Sequence, residues 1–363
     1  MKGVVVSFSS YDAWLFKEGT NYSLYNLLGA HLDGDKGCHF ALWAPNAKSV
    51  SVIGDFNHWQ PSQNKLHLED KSVGIWEGFV REVKRGDKYK YHVVSHDGQY
   101  AMDKGDPFAT FWEAPPGTAS IVWDLSFNWQ NTRRPSNDLT SPMAIYEIHH
   151  PSWRRVPEEQ NRPLTYLELA QMLPQYLRDM GFTHVEFLPV MEHPFYGSWG
   201  YQTCGYFAPS SRYGTPQEFM YLIDSLHTAG IAVILDWVPS HFPTDVHGLA
   251  YYDGTHLYEH PDSRRRMQPD WNTFLFNYDH PQVQSFLISN ALFWFEKYHI
   301  DGLRIDAVSS MLYLDFSKGP GAWMSNIYGG HENLGAIQCM QKLNRQVYQC
   351  YPHAQTIAEE STA

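Results

Sequence analysis

From about residue 37 to 125 apolar and polar positions alternate over short runs: CHFALWAP, SVSVIGDF, GIWEGFVREV and KYKYHVVSH, separated by PNAK, HWQPSQN, KRGD and HDGQ. Side chains of a strand point alternately to its two faces, so each run predicts a strand with one buried face, and the Pro, Asn, Gly and Asp clusters predict the turns. Several such strands at this spacing predict a small all-β sandwich, placed at residues 1–125. Over residues 126–142, SFNWQNTRRPSNDLTSP, the alternation stops and Pro, Ser, Asn and Arg gather, as in a linker.

Residues 143–363 follow another rhythm. Short, nearly continuous apolar runs start near Ala144, His184, Ala232, Gly302 and Thr356, and between them lie longer pieces whose apolar residues recur every three or four positions. Such alternation predicts five parallel strands covered by helices. The connections after the second strand, EHPFYGSWGYQTCGYFAPSSRYG, and after the third, from Pro239 to about His280, are longer than a structural connection requires. Long loops at the C-terminal ends of parallel strands are where a barrel enzyme places its site.

Composition narrows the function classes. With 43% hydrophobic and 18% charged residues, a chain of 363 residues can bury a sizeable core. Its net charge of −12 argues against nucleic acid or an anionic membrane as partner and is compatible with a neutral substrate. The opening MKGVVVSFSSYDAWLF has only a short apolar run, too short for the core of a secretion signal, and no run approaches a membrane span. Cys38, Cys204, Cys339 and Cys350 are widely spaced, outlining neither a disulfide framework nor a zinc site, and a reducing cytoplasm is the simplest setting. No phosphate-cradling, dinucleotide or serine-hydrolase motif is present, so no cofactor is expected.

The candidate chemistry lies at the ends of the third, fourth and fifth strands. In GLRIDAV, Arg304 and Asp306 are two apart and point the same way, so the guanidinium faces the carboxylate and lowers its pKa; a structural ion pair is the alternative. In AEES, alternation lets only one of Glu359 and Glu360 face the site, while solvated glutamates remain the other reading. A carboxylate nucleophile with a protonated carboxyl beside it is what retaining glycoside chemistry requires. In DWVPSHF, Asp236 and His241 could reach the hydroxyls of a sugar; hydrogen-bonded structure is the plain alternative, and the spacing is not that of a metal site.

Taken together, DWVPSHF, GLRIDAV and AEEST resemble three of the four signature regions of the α-amylase superfamily. GSWGYQTCGYFAPSSRYGTPQEF, DGTHLYEHPDSRRRMQPDWNTFLFNY and YGGHENLGAIQ resemble bacterial glycogen (1,4-α-glucan) branching enzymes, and FALWAPNAKSVSVIGDFNHW resembles the carbohydrate-binding sandwich that precedes their barrel. The resemblance runs from about residue 11 onward. It implies a β-sandwich followed by a (β/α)8 TIM barrel broken off after its fifth strand, with domains at residues 1–125 and 143–363.

The resemblance further implies Asp306 as nucleophile, Glu359 as general acid and base, and Arg304, Asp236, His241 and Tyr201 as substrate-binding residues, with no metal and no cofactor. Trp59 and Trp76 become candidates for glucan stacking, beside an equal reading as core rings. The expected function is transfer of α-1,4-glucan segments of glycogen or amylose to form α-1,6 branches. The rivals are an α-1,6-debranching or trehalose-releasing hydrolase and a glucan-binding protein without catalysis. The family's fourth region, its last three barrel strands and its C-terminal β-domain have no counterpart in these 363 residues, so the chain alone is expected to be inactive, or to need a complementary C-terminal chain.

Overall fold

The computed structural model describes residues 8–131 and 135–361; linker residues 132–134 and the closing Thr362 of the AEEST motif lie outside them. The first element is a helix, Ser10–Lys17, which the apolar pattern alone does not announce. Its start is fixed by a capping box: Ser9 Oγ accepts from Asp12 N, and the Asp12 carboxylate takes the Ser9 amide. Phe16 turns inward and meets Trp43 edge-on at 5.5 Å.

The sandwich consists of two antiparallel sheets. One runs Gly29–Leu32, Cys38–Trp43, Ile75–Val80, His67–Asp70 across its width. The other places Lys88–Ser95 between Ala47–Gly54 and Ala101–Lys104, with Ser120–Ile121 paired to the same central strand. In Lys88–Ser95 the predicted alternation is realised: Tyr89, Tyr91, Val93 and Ser95 are buried and the residues between them are half-buried. Cys38–Trp43 is instead buried at every position.

Beyond the linker, Ile145–Ile148, His184–Phe187, Ala232–Trp237, Gly302–Ile305 and Gln355–Ala358 form one parallel sheet in chain order. These are the five predicted strands, each beginning within a residue of its expected start. Between them lie Tyr166–Asp179, Pro216–Thr228, Pro281–Tyr298 and Leu334–Cys350, the helices of the three-and-four pattern. Capping boxes start the first two, Thr165 with Glu168 and Thr215 with Glu218, and proline opens the second and third. Ala232–Trp237, in the middle of the sheet, is buried throughout. The long loops carry structure of their own: Met191–Glu192 pairs with Gly205–Pro209, and His241–Phe242, Thr273–Leu275 and Met267–Gln268 form a three-stranded sheet above the third strand.

The core of the sandwich runs into that of the barrel. Phe108 packs on Phe207 (4.8 Å) and Phe286 (5.4 Å), Tyr25 on Phe293 (5.4 Å), and Trp43 on Tyr258 (5.7 Å). At the edge of this contact Lys104, fully buried, donates from Nζ to Ala250 O at 2.7 Å, and burial lowers its pKa to about 8. Asp253 Oδ2 accepts from the Asn46 amide and from its Nδ2 (2.9 and 3.0 Å). The sandwich thereby holds the loop that follows the third barrel strand. Among the described residues no helix is long and apolar enough to cross a membrane.

Candidate active site

Parallel register sets Asp236 directly opposite Arg304, and Arg304 opposite Ile357, so the ends of the third, fourth and fifth strands lie level. Arg304 Nη1 donates to both oxygens of Asp236 and to Oδ1 of Asp306, each at 2.8 Å. The other amino nitrogen, Nη2, lies 4.0 Å from Glu359 Oε2. One planar cation thus stands among three carboxylates, with Asp306 against one of its amino groups and Glu359 beside the other. Tyr201 reaches the same cluster from the loop after the second strand, its hydroxyl donating to Asp236 Oδ2 at 2.7 Å.

The fourth strand ends in a bend that positions both acids. Ala307, next to Asp306, has φ 53° and ψ 44°, a left-handed conformation that a residue with a Cβ adopts at a cost. Neighbouring strands hold it: the Asp306 amide donates to Trp237 O (2.9 Å), the Ala307 amide to Glu359 Oε2 (2.7 Å) and the Val308 amide to Glu359 O (3.1 Å). The same bond turns Glu359 toward the cluster, while Glu360 is exposed.

Electrostatics depart from the expectation that Arg304 lowers the pKa of Asp306. Asp306 is raised to about 7, because burial disfavours its charge and the charges of Asp236 and Glu359 add to that, against the attraction and hydrogen bond of Arg304. Burial likewise raises Asp236 in spite of Arg304 and the Tyr201 hydroxyl. The guanidinium that opposes these shifts is shared: Asp236 takes two of its hydrogen bonds and Asp306 one.

His241 is buried at the start of the loop sheet, beside Trp271 (ring centroids 4.8 Å), and makes no hydrogen bond to Asp236, Arg304 or Asp306 among the described residues. Burial lowers its pKa to about 4, so the ring is neutral at pH 7. The structure therefore joins Asp236, Arg304, Asp306, Glu359 and Tyr201 into one network and leaves His241 at its border. Of the two sandwich tryptophans, Trp76 is a core ring whose Nε1 donates to Ala44 O at 2.9 Å, while Trp59 lies at the surface with its Nε1 on Asp55 Oδ1 at 3.2 Å.

Other residues of the site escape the motif reading. Glu186, on the second strand, is buried one layer below Asp236, and burial together with the charge of Asp236 raises it to about 7. Its signal is a glutamate inside the apolar run HVEFLPV. Phe195, Tyr196 and Trp199 are exposed on the Tyr201 loop, with Trp199 5.4 Å from His149 at the end of the first strand. Among the described residues no group of three or more His, Cys, Asp or Glu is arranged to hold a metal ion.

Five parallel strands with long loops at their C-terminal ends, preceded by a two-sheet sandwich, define the architecture of an α-amylase-type catalytic domain behind a carbohydrate-binding domain. The family Carbohydrate-binding module 48 (Isoamylase N-terminal domain) matches residues 27–109, and Alpha amylase, catalytic domain, matches residues 169–272. The chain is 59% identical to the 1,4-alpha-glucan branching enzyme GlgB of Aquifex aeolicus over 98% of its own length and 57% of that protein. It is 56% identical to the enzyme of the same name from Albidiferax ferrireducens, with the same coverage, and 53% identical to that of Paramagnetospirillum magneticum over 97% of this chain and 49% of the relative.

Among solved structures, a putative alpha amylase from Salmonella typhimurium superimposes with a TM-score of 0.67 at 25% identity, covering 91% of this chain and 49% of that one. A pullulanase from Paenibacillus barengoltzii shares the fold, with a TM-score of 0.72 at 22% identity over 92% of this chain and 53% of its own. Over nearly its whole length the chain is similar to bacterial 1,4-alpha-glucan branching enzymes GlgB. It spans about half the length of the curated relatives it matches.

Proposed function

We propose that these residues are the sandwich and first five barrel strands of a retaining glucan branching enzyme, with Asp306 as nucleophile and Glu359 as general acid and base. The observation that carries the reading is the single guanidinium of Arg304, bonded to Asp236 and Asp306 and 4.0 Å from Glu359. A two-displacement route requires a nucleophilic carboxylate and an acid carboxyl about 5 Å apart, and two carboxylates flanking one guanidinium suit it.

In the first displacement Asp306 attacks the anomeric carbon of an α-1,4-linked glucan. The bond to the leaving 4-oxygen breaks, Glu359 protonates that oxygen, and the non-reducing segment remains as an ester on Asp306. In the second, Glu359 takes the proton of an acceptor 6-hydroxyl, whose oxygen attacks the same carbon and releases Asp306. Asp236, held by Arg304 and Tyr201, faces the sugar hydroxyls, with His241 at the border of the pocket. The substrate is α-glucan, the setting is the cytoplasm, and the remaining barrel strands come from residues outside these 363 or from a complementary chain.

The test compares two proteins on amylose: the 363-residue chain, and the same residues completed with the remaining part of the Aquifex relative. The completed protein lowers iodine absorbance and creates α-1,6 linkages with few new reducing ends. The short chain does neither, because five strands do not close an eight-stranded barrel. Steady release of reducing ends would make the protein a hydrolase, and turnover by the short chain would refute the incomplete-barrel reading.

A further inference from the structure

Tyr11 and Trp14 are among the most exposed aromatic side chains of the molecule, 65% and 54% accessible, and they lie together on the Ser10–Lys17 helix. Their rings are 5.9 Å apart at 24°, a stacked pair at the surface. A spacing of three residues puts them on one face of the helix, and Glu18, four residues beyond Trp14 and also exposed, continues that face. Neither the Tyr11 hydroxyl nor Trp14 Nε1 has a hydrogen-bond partner among the described residues.

The helix that carries this ledge is firmly seated. Its start is capped by Ser9, Phe16 is buried on Trp43, and Lys17 Nζ bonds Ser72 Oγ and lies 3.8 Å from Asp70. Just after it Gly19, at φ +65°, lies so close to Pro281 that an added Cβ would fall 2.6 Å from the proline. An eight-residue helix gains little stability on its own, so these anchors fix its orientation. Two rigid aromatic faces cost little conformational entropy on binding, and a carboxylate beside them can accept hydrogen bonds from hydroxyls. The apolar face of a pyranose ring rimmed by hydroxyls is the complement of that surface. A nucleic acid or anionic surface is disfavoured by the adjacent Glu18 and by the net charge of −12.

We infer that Tyr11, Trp14 and Glu18 form a second α-glucan-binding surface, outside the catalytic cluster and outside residues 27–109 that match the carbohydrate-binding module. The inference rests on α-glucan being the substrate class. The surface would hold one part of a glucan polymer while another part occupies the catalytic cleft, raising the local concentration of chain ends there.

The experiment is native electrophoresis of the 363-residue chain through gels containing graded glycogen, with Tyr11→Ala, Trp14→Ala, the double variant and Trp14→Phe. Loss of both rings weakens the apparent glycogen affinity about tenfold, the factor that ~1.4 kcal/mol of lost contact represents, while Trp14→Phe keeps most of it. Thermal midpoints stay at the wild-type value, since both side chains are exposed. Unchanged retardation of the double variant, with the wild type still retarded, overturns the ledge and leaves the substrate class intact. A wild type that glycogen does not retard overturns the substrate class and the ledge together. Self-association of the wild type in sedimentation, abolished in the double variant, would make a second copy the occupant and also refute the proposal.

Discussion

Asp236 and Arg304 stand directly opposite each other on adjacent parallel strands, and both oxygens of the aspartate accept from one guanidinium nitrogen at 2.8 Å. The same nitrogen holds Asp306, so the pair fixes where the proposed nucleophile lies. Lysine cannot reproduce this, because its compact ammonium lacks the planar fork that also reaches toward Glu359.

In the protein completed with the remaining barrel, Arg304→Lys and Arg304→Ala should each lower kcat on amylose by about 10²- to 10³-fold, the usual cost of removing one preorganised electrostatic contact. Glycogen retention should persist. A variant that keeps a tenth or more of wild-type turnover would show that Arg304 does not organise the carboxylates.

Stability should depend on pH through the same cluster. Asp306 and Glu186 are raised to about 7 by burial and neighbouring carboxylates, from near 4 in an unfolded chain. Between these values the folded chain holds more protons than the unfolded one, so the stability contribution is full below about pH 4 and is lost as pH rises through 7. Replacing Asp306 by Asn removes one titrating group. The thermal midpoint of Asp306→Asn minus that of wild type should therefore be more positive at pH 8 than at pH 5. An equal difference at both would refute the raised pKa.

The junction of sandwich and barrel supplies a third expectation. Residues 1–130, expressed alone, should unfold cooperatively, since both sandwich sheets are complete within them, but at a lower temperature than the 363-residue chain. Tyr25, Trp43 and Phe108 lose the barrel aromatics they pack on. In the whole chain Phe108→Ala should cost about 3 to 5 kcal/mol in urea unfolding, the range for a deleted core phenylalanine. A fragment without a cooperative transition would place the domain boundary elsewhere.

These features differ in how far the amino-acid pattern reveals them. The barrel strands were legible because a buried parallel strand must be an unbroken apolar run, as Ala232–Trp237 is, and the helices because their apolar residues recur every three or four positions. The Arg304–Asp306 pair followed from strand alternation, and Asp236 joins it because the register places it opposite Arg304. What the pattern hid is what depends on distant partners. Burial, with the charge of Asp236 beside it, raises Asp306 in spite of the Arg304 guanidinium. The burial of Trp76, the left-handed bend at Ala307 and the Lys104 contact with the loop after the third strand arise from packing between segments far apart in sequence.

The most direct measurement is to trap the covalent ester. The completed protein carrying Glu359→Gln, which lacks the acid and base needed for turnover, is mixed with an α-maltosyl fluoride whose leaving group needs no proton. The digest is then read by mass spectrometry. The account predicts a maltosyl mass on the peptide containing Asp306 and none on that containing Asp236. An adduct on another carboxylate, or its absence under conditions in which the fluoride is consumed, would contradict it.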